Sequence, residues 1–94
     1  MEAVIISGYL REDVECFVDN RGHECIRFCV ICESGTVQGL KRHTVYRCQS
    51  GDIQHKDLKR GDLVFILGFF LARVVNGKAV LDVYVSQLAR GFKM

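Results

Sequence analysis

The sequence predicts an all-β protein: one closed barrel of five strands with a single short helix between the third and fourth. Three observations carry that prediction. Apolar and polar residues alternate with period two over long stretches, Gly-bearing turns separate those stretches, and the one helix-like segment falls after the third of them. With 94 residues, 49% of them apolar, residues 1–94 suffice for one domain around one modest core. There is no internal repeat, low-complexity segment or linker to mark a second.

The first strand is placed from Ala3 to about Phe17, bent or bulged near Gly8, and a tight turn carrying Gly22 leads into a second strand from His23 to Cys32. Residues Glu33 to Gly39, with Ser34-Gly35 and Gly39, read as a loop, and Lys41 to Cys48 as the third strand. Ser50-Gly51-Asp52 offers a helix start. One or two helical turns over Ile53 to Leu58 follow, closed by Lys59-Arg60-Gly61 with Gly at the expected C-terminal position. Strand four runs from Asp62 to Val75, Asn76-Gly77 is a strong hairpin signal, and strand five runs from Lys78 to Leu88, leaving Ala89 to Met94 unassigned. The order β-β-β-α-β-β on a chain of this length is that of an OB-fold barrel, whereas a β-sandwich needs about seven strands. Such a barrel offers a groove to extended ligands.

Composition narrows the function classes. Thirteen Lys and Arg against eleven Asp and Glu give a formal charge of only +2, so an anionic partner must be held by a local basic stripe and not by the global field. The high apolar content implies surface buried between subunits. Met1-Glu2-Ala3 enters a β-like run without a basic segment or cleavage site, which argues against export. The longest apolar stretch, Leu63 to Ala72, is interrupted by Gly68 and is too short to span a membrane. Five cysteines, an odd number, fit a reducing cytoplasm better than a disulfide framework. Cys29 and Cys32 have a ligand-like spacing, but residues three apart on a strand point to opposite faces, which argues against a shared metal ion. Cys32 and Cys48 read as small core residues. No nucleophile turn, P-loop or dinucleotide fingerprint is present, and Asp13, Glu15, Asp52, Asp57 and Asp62 fall near turns and element ends, where carboxylates act as caps. Neither enzyme activity nor a cofactor is expected.

Two blocks carry a family resemblance. Val4 to Glu15, Gly22 and Ile26-Arg27-Phe28-Cys29-Val30 follow the pattern V-I-x-x-G-x-L-x-x-D-x-E, turn glycine, apolar-x-F-x-V, and Leu58 to Gly68 is similar to L-K-K-G-x-x-V-x-I-x-G. Together they resemble bacterial single-stranded DNA-binding proteins. The resemblance implies an OB-fold that binds single-stranded DNA without sequence preference, assembles as a homodimer or homotetramer and works beside replication proteins. Three departures stand out: no Trp, short loops after strands two and four, and no Gly-rich linker with an acidic tip. They point to the short primosomal replication protein of the B type, or to a phage or mobile-element version.

Binding an extended polynucleotide requires cations that meet phosphates and flat π-surfaces on which bases stack, all on one face. Alternation groups Ile26, Phe28 and Val30 inward and Cys25, Arg27 and Cys29 outward, making Arg27 a groove residue. On strand three, His43, Val45 and Arg47 oppose Thr44, Tyr46 and Cys48; a shift of one residue exchanges Arg47 for Tyr46. On strand four, Phe69, Leu71 and Arg73 oppose Ile66, Phe70 and Ala72. The resemblance implies a stacking group near Arg47 and basic residues at Leu71 and Arg73, of which Arg73 matches. Lys41, Arg42 and His43 before and on strand three, and Lys78 at the hairpin tip, extend the track; Tyr9, Phe69 and Tyr84 are candidate stacking rings. Each has a plainer reading: a solvated cation, a half-buried strand Tyr, or, for Phe69 with Leu67 and Leu71, a subunit interface. The rival functions are a primosome-like protein-interaction module and an RNA-binding OB domain, since no motif here encodes contact with a 2′-hydroxyl.

Overall fold

Alternating β-branched and aromatic residues form six strands in the computed structural model, which describes residues 2–37 and 40–91, and their side chains except those of 34–37 and 40–42. The strands are β1 (Glu2–Leu10), β2 (Glu15–Val18), β3 (Glu24–Val37), β4 (Leu40–Ser50), β5 (Leu63–Val75) and β6 (Lys78–Arg90), with one 3-10 turn at Ile53–His55. They are ordered β1-β5-β6-β4-β3-β2, and β1 returns to β3 through Tyr9↔Ile31 and Leu10↔Val30, so the sheet closes on itself. The pairings are antiparallel except β4 with β6, which run parallel from Arg47↔Asp82 to Gln49↔Tyr84.

The predicted first strand is in fact two. At residues 11–14 the backbone leaves the ladder, because its hydrogen bonds are made to segments distant in sequence: Arg11 N donates to Cys29 O at 2.9 Å and Val14 N to Leu58 O at 3.3 Å. Gly8 is required just before this corner, since a Cβ there would lie 2.3 Å from Ile31 O where β1 crosses β3. The predicted loop Glu33 to Gly39 is also largely strand. β3 continues to Val37, and a register shift between Glu33 and Thr36 takes up one extra residue as a β-bulge, so Ser34-Gly35 marks a bulge and not a turn. The short helix is a single 3-10 turn, capped by Asp52, whose Oδ1 accepts from Gln54 N at 3.1 Å. Strand five reaches Arg90, two residues beyond the predicted end at Leu88. Asn76 and Gly77 have φ of 53° and 77°, as a two-residue hairpin of the primed type demands.

The inward residues of each strand meet in one cluster: Ile6, Leu10, Ile26, Phe28, Val30, Cys48, Val64, Ile66 and Val83, plugged by Leu58 from the segment after the 3-10 turn. Each fully buried aliphatic side chain contributes roughly 1.5–3 kcal/mol relative to exposure. Ile26, Phe28, Val30 and Cys48 are inward as expected. The odd-numbered residues of β5 from Phe65 to Leu71 therefore face outward, as do Arg27 on β3 and Arg47 on β4.

Candidate nucleic-acid interface

The register brings the outward residues of four strands into rows. Arg27 on β3 lies opposite Gln49 on β4, Gln49 opposite Tyr84 on β6, and Tyr84 opposite Phe69 on β5. Beside it runs a second row, Cys29, Arg47, Asp82 and Leu71. Three interstrand steps span roughly 14 Å. The rows cross a shallow trough of about 300 Å³ whose lining includes Phe17, Arg27, Arg47, Gln49, Asp82 and Tyr84.

Arg27 is held at the β2 end of the trough. Its Nε donates to Glu15 Oε2 at 2.9 Å, and its guanidinium carbon sits 4.9 Å from the centroid of the Phe17 ring. Ring and guanidinium thus present one flat, π-rich surface. Arg47 turns outward, while Tyr46 on the opposite face makes an edge-on contact with Phe70 at 6.1 Å between centroids. Of the two, Arg47 is the one on the outer face. Arg73 lies where β5 and β6 leave the barrel: residues 71–79 are all exposed, so this hairpin stands clear of the body and carries Arg73 and Lys78 with it. Its Nε donates to Asp82 Oδ2 at 2.5 Å, and Arg47 Nε is 3.9 Å from Asp82 Oδ1.

The remaining sequence-selected residues are spread more widely. His43 is exposed on β4, opposite Glu33, four pairs along the β3–β4 arm from Arg47. Tyr9, on β1 opposite Leu63 and Ile31, is exposed but stands outside the trough lining. Phe69 bridges two surfaces, lying opposite Tyr84 on one side and Ala3 of β1 on the other. The side chains of Lys41 and Arg42 lie outside the described residues. Arg27, Arg47 and Tyr84 therefore converge in the trough, Phe69 continues the row beyond Tyr84, Arg73 and Lys78 stand to the side on the hairpin, and Tyr9 and His43 lie apart.

Sequence reasoning missed Phe17 and the carboxylates. Phe17 was placed at the end of a strand that proves to be two, and only the pairing of β2 with β3 puts it beneath Arg27. Among the described residues the trough lining holds four carboxylates, Glu12, Asp13, Glu15 and Asp82, beside Arg27 and Arg47, so its charge is mixed and not the purely cationic track the sequence suggested. Asp13 is a cap as expected, accepting from Arg60 N at 2.9 Å, and Asp62 accepts from Lys59 N at 2.9 Å. Glu15 instead pairs with Arg27, and Asp57 with Arg90, whose hydrogen bond holds the Asp57 carboxyl below its ordinary range. Cys29 lines the trough and accepts from Arg11 Nη2 at 3.6 Å, whereas Cys32 packs against the core, as the odd spacing requires. Cys48 is buried, which pushes its thiol up to about 12, with Cys29 and Cys32 nearby adding to the effect.

A second outer surface is apolar. Ile5 on β1 lies opposite Leu67 on β5, and Ile5, Phe65 and Leu67 with Gln87, Leu88 and Ala89 line an open hollow of about 460 Å³. Along Glu2 to Gly8, β1 pairs with β5 on one edge; its other edge bears no strand among the described residues.

No protein-family model and no curated protein matches this chain. Among solved structures it is similar to the Plasmodium falciparum SSB in complex with ssDNA, at 14% identity and a TM-score of 0.75, over 98% of this chain and 96% of that one. It is also similar to the wild-type single-stranded DNA binding protein from Thermus aquaticus, at 13% identity and a TM-score of 0.77, over 98% of this chain and 50% of that one, and so spans about half the Thermus protein. The fold is that of these proteins: an all-β OB-fold barrel with one short helical turn between β4 and β5.

Proposed function

We propose that this protein is a cytoplasmic, non-enzymatic binder of single-stranded DNA, independent of sequence, that serves replication, restart or DNA transfer. One observation carries the proposal above the others: Arg27 stacked on Phe17, Gln49, Tyr84 and Phe69 form one outward row across a barrel of the kind that holds ssDNA in the Plasmodium complex. Guanidiniums meet phosphates and the rings offer faces to bases, which every base satisfies equally. Arg73 and Lys78 extend the path along the hairpin, and Tyr9, His43, Lys41 and Arg42 are further candidate contacts away from that row.

A second observation supports self-association. The Ile5, Phe65 and Leu67 surface, continuous with the open edge of β1, suits a second copy of the chain in a homodimer or homotetramer. The same surface is what a primosome-like interaction module would use, and the absence of Trp among the 94 residues fits such a module as well.

The test is fluorescence anisotropy of labelled oligo-dT, oligo-U and duplex DNA, titrated with the protein at several salt concentrations. Expected are micromolar or tighter binding to oligo-dT, weaker binding to duplex, and a linear fall of log affinity with log salt. Tighter binding to oligo-U than to oligo-dT would transfer the reading to RNA. Absence of binding to any single strand would transfer it to the interaction module.

A further inference from the structure

The arginines of the trough are already engaged. Asp82 stands between Arg47 of the trough and Arg73 of the adjoining hairpin, with Oδ2 at 2.5 Å from Arg73 Nε and Oδ1 at 3.9 Å from Arg47 Nε. Its side chain is only 15% exposed, while those of Arg47 and Arg73 are 56% and 46% exposed. One recessed oxyanion is thus shared by two guanidiniums that remain open to solvent, the arrangement a bridging phosphate would itself adopt. The parallel pairing of β4 with β6 fixes this triad, because it sets Arg47 directly opposite Asp82. Glu15 does the same for Arg27 at the other end of the trough, at 2.9 Å.

Resting on the single-strand reading above, we infer that Asp82 and Glu15 are intrachain counter-ions that compete with the polynucleotide phosphates for Arg47, Arg73 and Arg27. They hold the affinity of the trough below what its arginines alone would give. A strand entering the trough meets a triad of net charge +1 at Asp82 and a neutral pair at Glu15, so fewer small ions are released per phosphate bound. The two carboxylates act through the arginines and need not touch the nucleic acid; they set how tightly it is held and how quickly it is given up.

The experiment compares the wild type with Asp82→Asn and Glu15→Gln on labelled oligo-dT over a range of salt, with thermal midpoints measured alongside. Each variant is expected to bind about three- to tenfold tighter at low salt, the effect of one unit charge at a screened surface. The slope of log affinity against log salt should steepen by about 0.7 for each phosphate newly neutralised. A folded variant of either kind that binds no tighter than the wild type overturns the inference while the single-strand reading stands. Weaker binding with a flatter slope would mean that the carboxylates aim the guanidiniums, which overturns it equally. If Asp82→Asn unfolds, Glu15→Gln decides, because that pair is exposed and its loss leaves nothing buried. A wild type that binds no single strand overturns the single-strand reading itself, and the inference with it, whereas a wild type that binds leaves the variants to decide the inference alone.

Discussion

On the β3–β4–β6 side of the barrel the outward positions hold Arg27, Arg47, Asp82 and Tyr84, while on the β1–β5 side the same alternation puts out Ile5, Phe65 and Leu67. Both faces surround one core and both follow from period two. Yet their chemistry differs in a way that alternation does not encode. On the trough side each of these arginines has a carboxylate within the chain, Glu15 for Arg27 and the shared Asp82 for Arg47 and Arg73. The β1–β5 side leaves Ile5 82% exposed next to a strand edge that bears no partner strand among the described residues, the kind of surface that can template pairing with another chain. Phe69 stands on the boundary between the two faces, opposite Tyr84 on one side and Ala3 on the other.

The largest effect expected from breaking this division is on assembly. Ile5→Asp combined with Leu67→Asp should raise the subunit dissociation constant by about 100-fold or more, because a desolvated carboxylate at the centre of an apolar contact has no partner. Multi-angle light scattering reads the outcome as a fall to monomer mass. Both positions are exposed in the single chain, so the thermal midpoint of the dissociated protein should stay close to that expected for the barrel alone. Binding of a short oligo-dT per protomer should change less than twofold. A wild type that is already monomeric at high concentration sinks the assembly face.

A smaller effect is expected in the trough. Tyr84→Ala should weaken oligo-dT binding by roughly tenfold, since a stacked base contributes about 1–3 kcal/mol. Arg27→Glu should weaken it several-fold and flatten the salt dependence by about 0.7. Its pair with Glu15 is exposed on both sides, so stability should fall by no more than about 1 kcal/mol. Unfolding by either substitution would place these residues inside the barrel and reverse the face assignment.

How much of this was legible beforehand depends on how local each determinant is. The inward set Ile26, Phe28 and Val30 follows from neighbours two apart, and the hairpin at Asn76-Gly77 from two residues whose positive φ the dipeptide favours. The corner at residues 11–14 was not legible, because its backbone partners, Cys29 O and Leu58 O, come from other parts of the chain. Ser34-Gly35 gives the same signal for a turn as for the bulge it forms. Arg47 and Arg73 could be named as candidate contacts from what the family resemblance implies at their positions. That Asp82 joins them required the parallel pairing of β4 with β6, which no stretch of sequence announces.

The smallest expected effect separates two thiols that flank the trough wall. Cys29 is partly open in the trough, whereas Cys48, on the opposite face of β4, is buried and its thiol is pushed from 9.0 up to about 12, mainly by burial. The folded value lies above the unfolded one, so the neutral thiol contributes stability that is fully present below about pH 9. That contribution is lost as the pH rises towards 12, because the unfolded chain ionises first. Urea midpoints should therefore decline between pH 8 and 11 more steeply for the wild type than for Cys48→Ala, which costs roughly 1 kcal/mol at pH 7 through lost packing. Parallel slopes for the two proteins would place the Cys48 thiol in contact with water and the trough wall one residue thinner than drawn here.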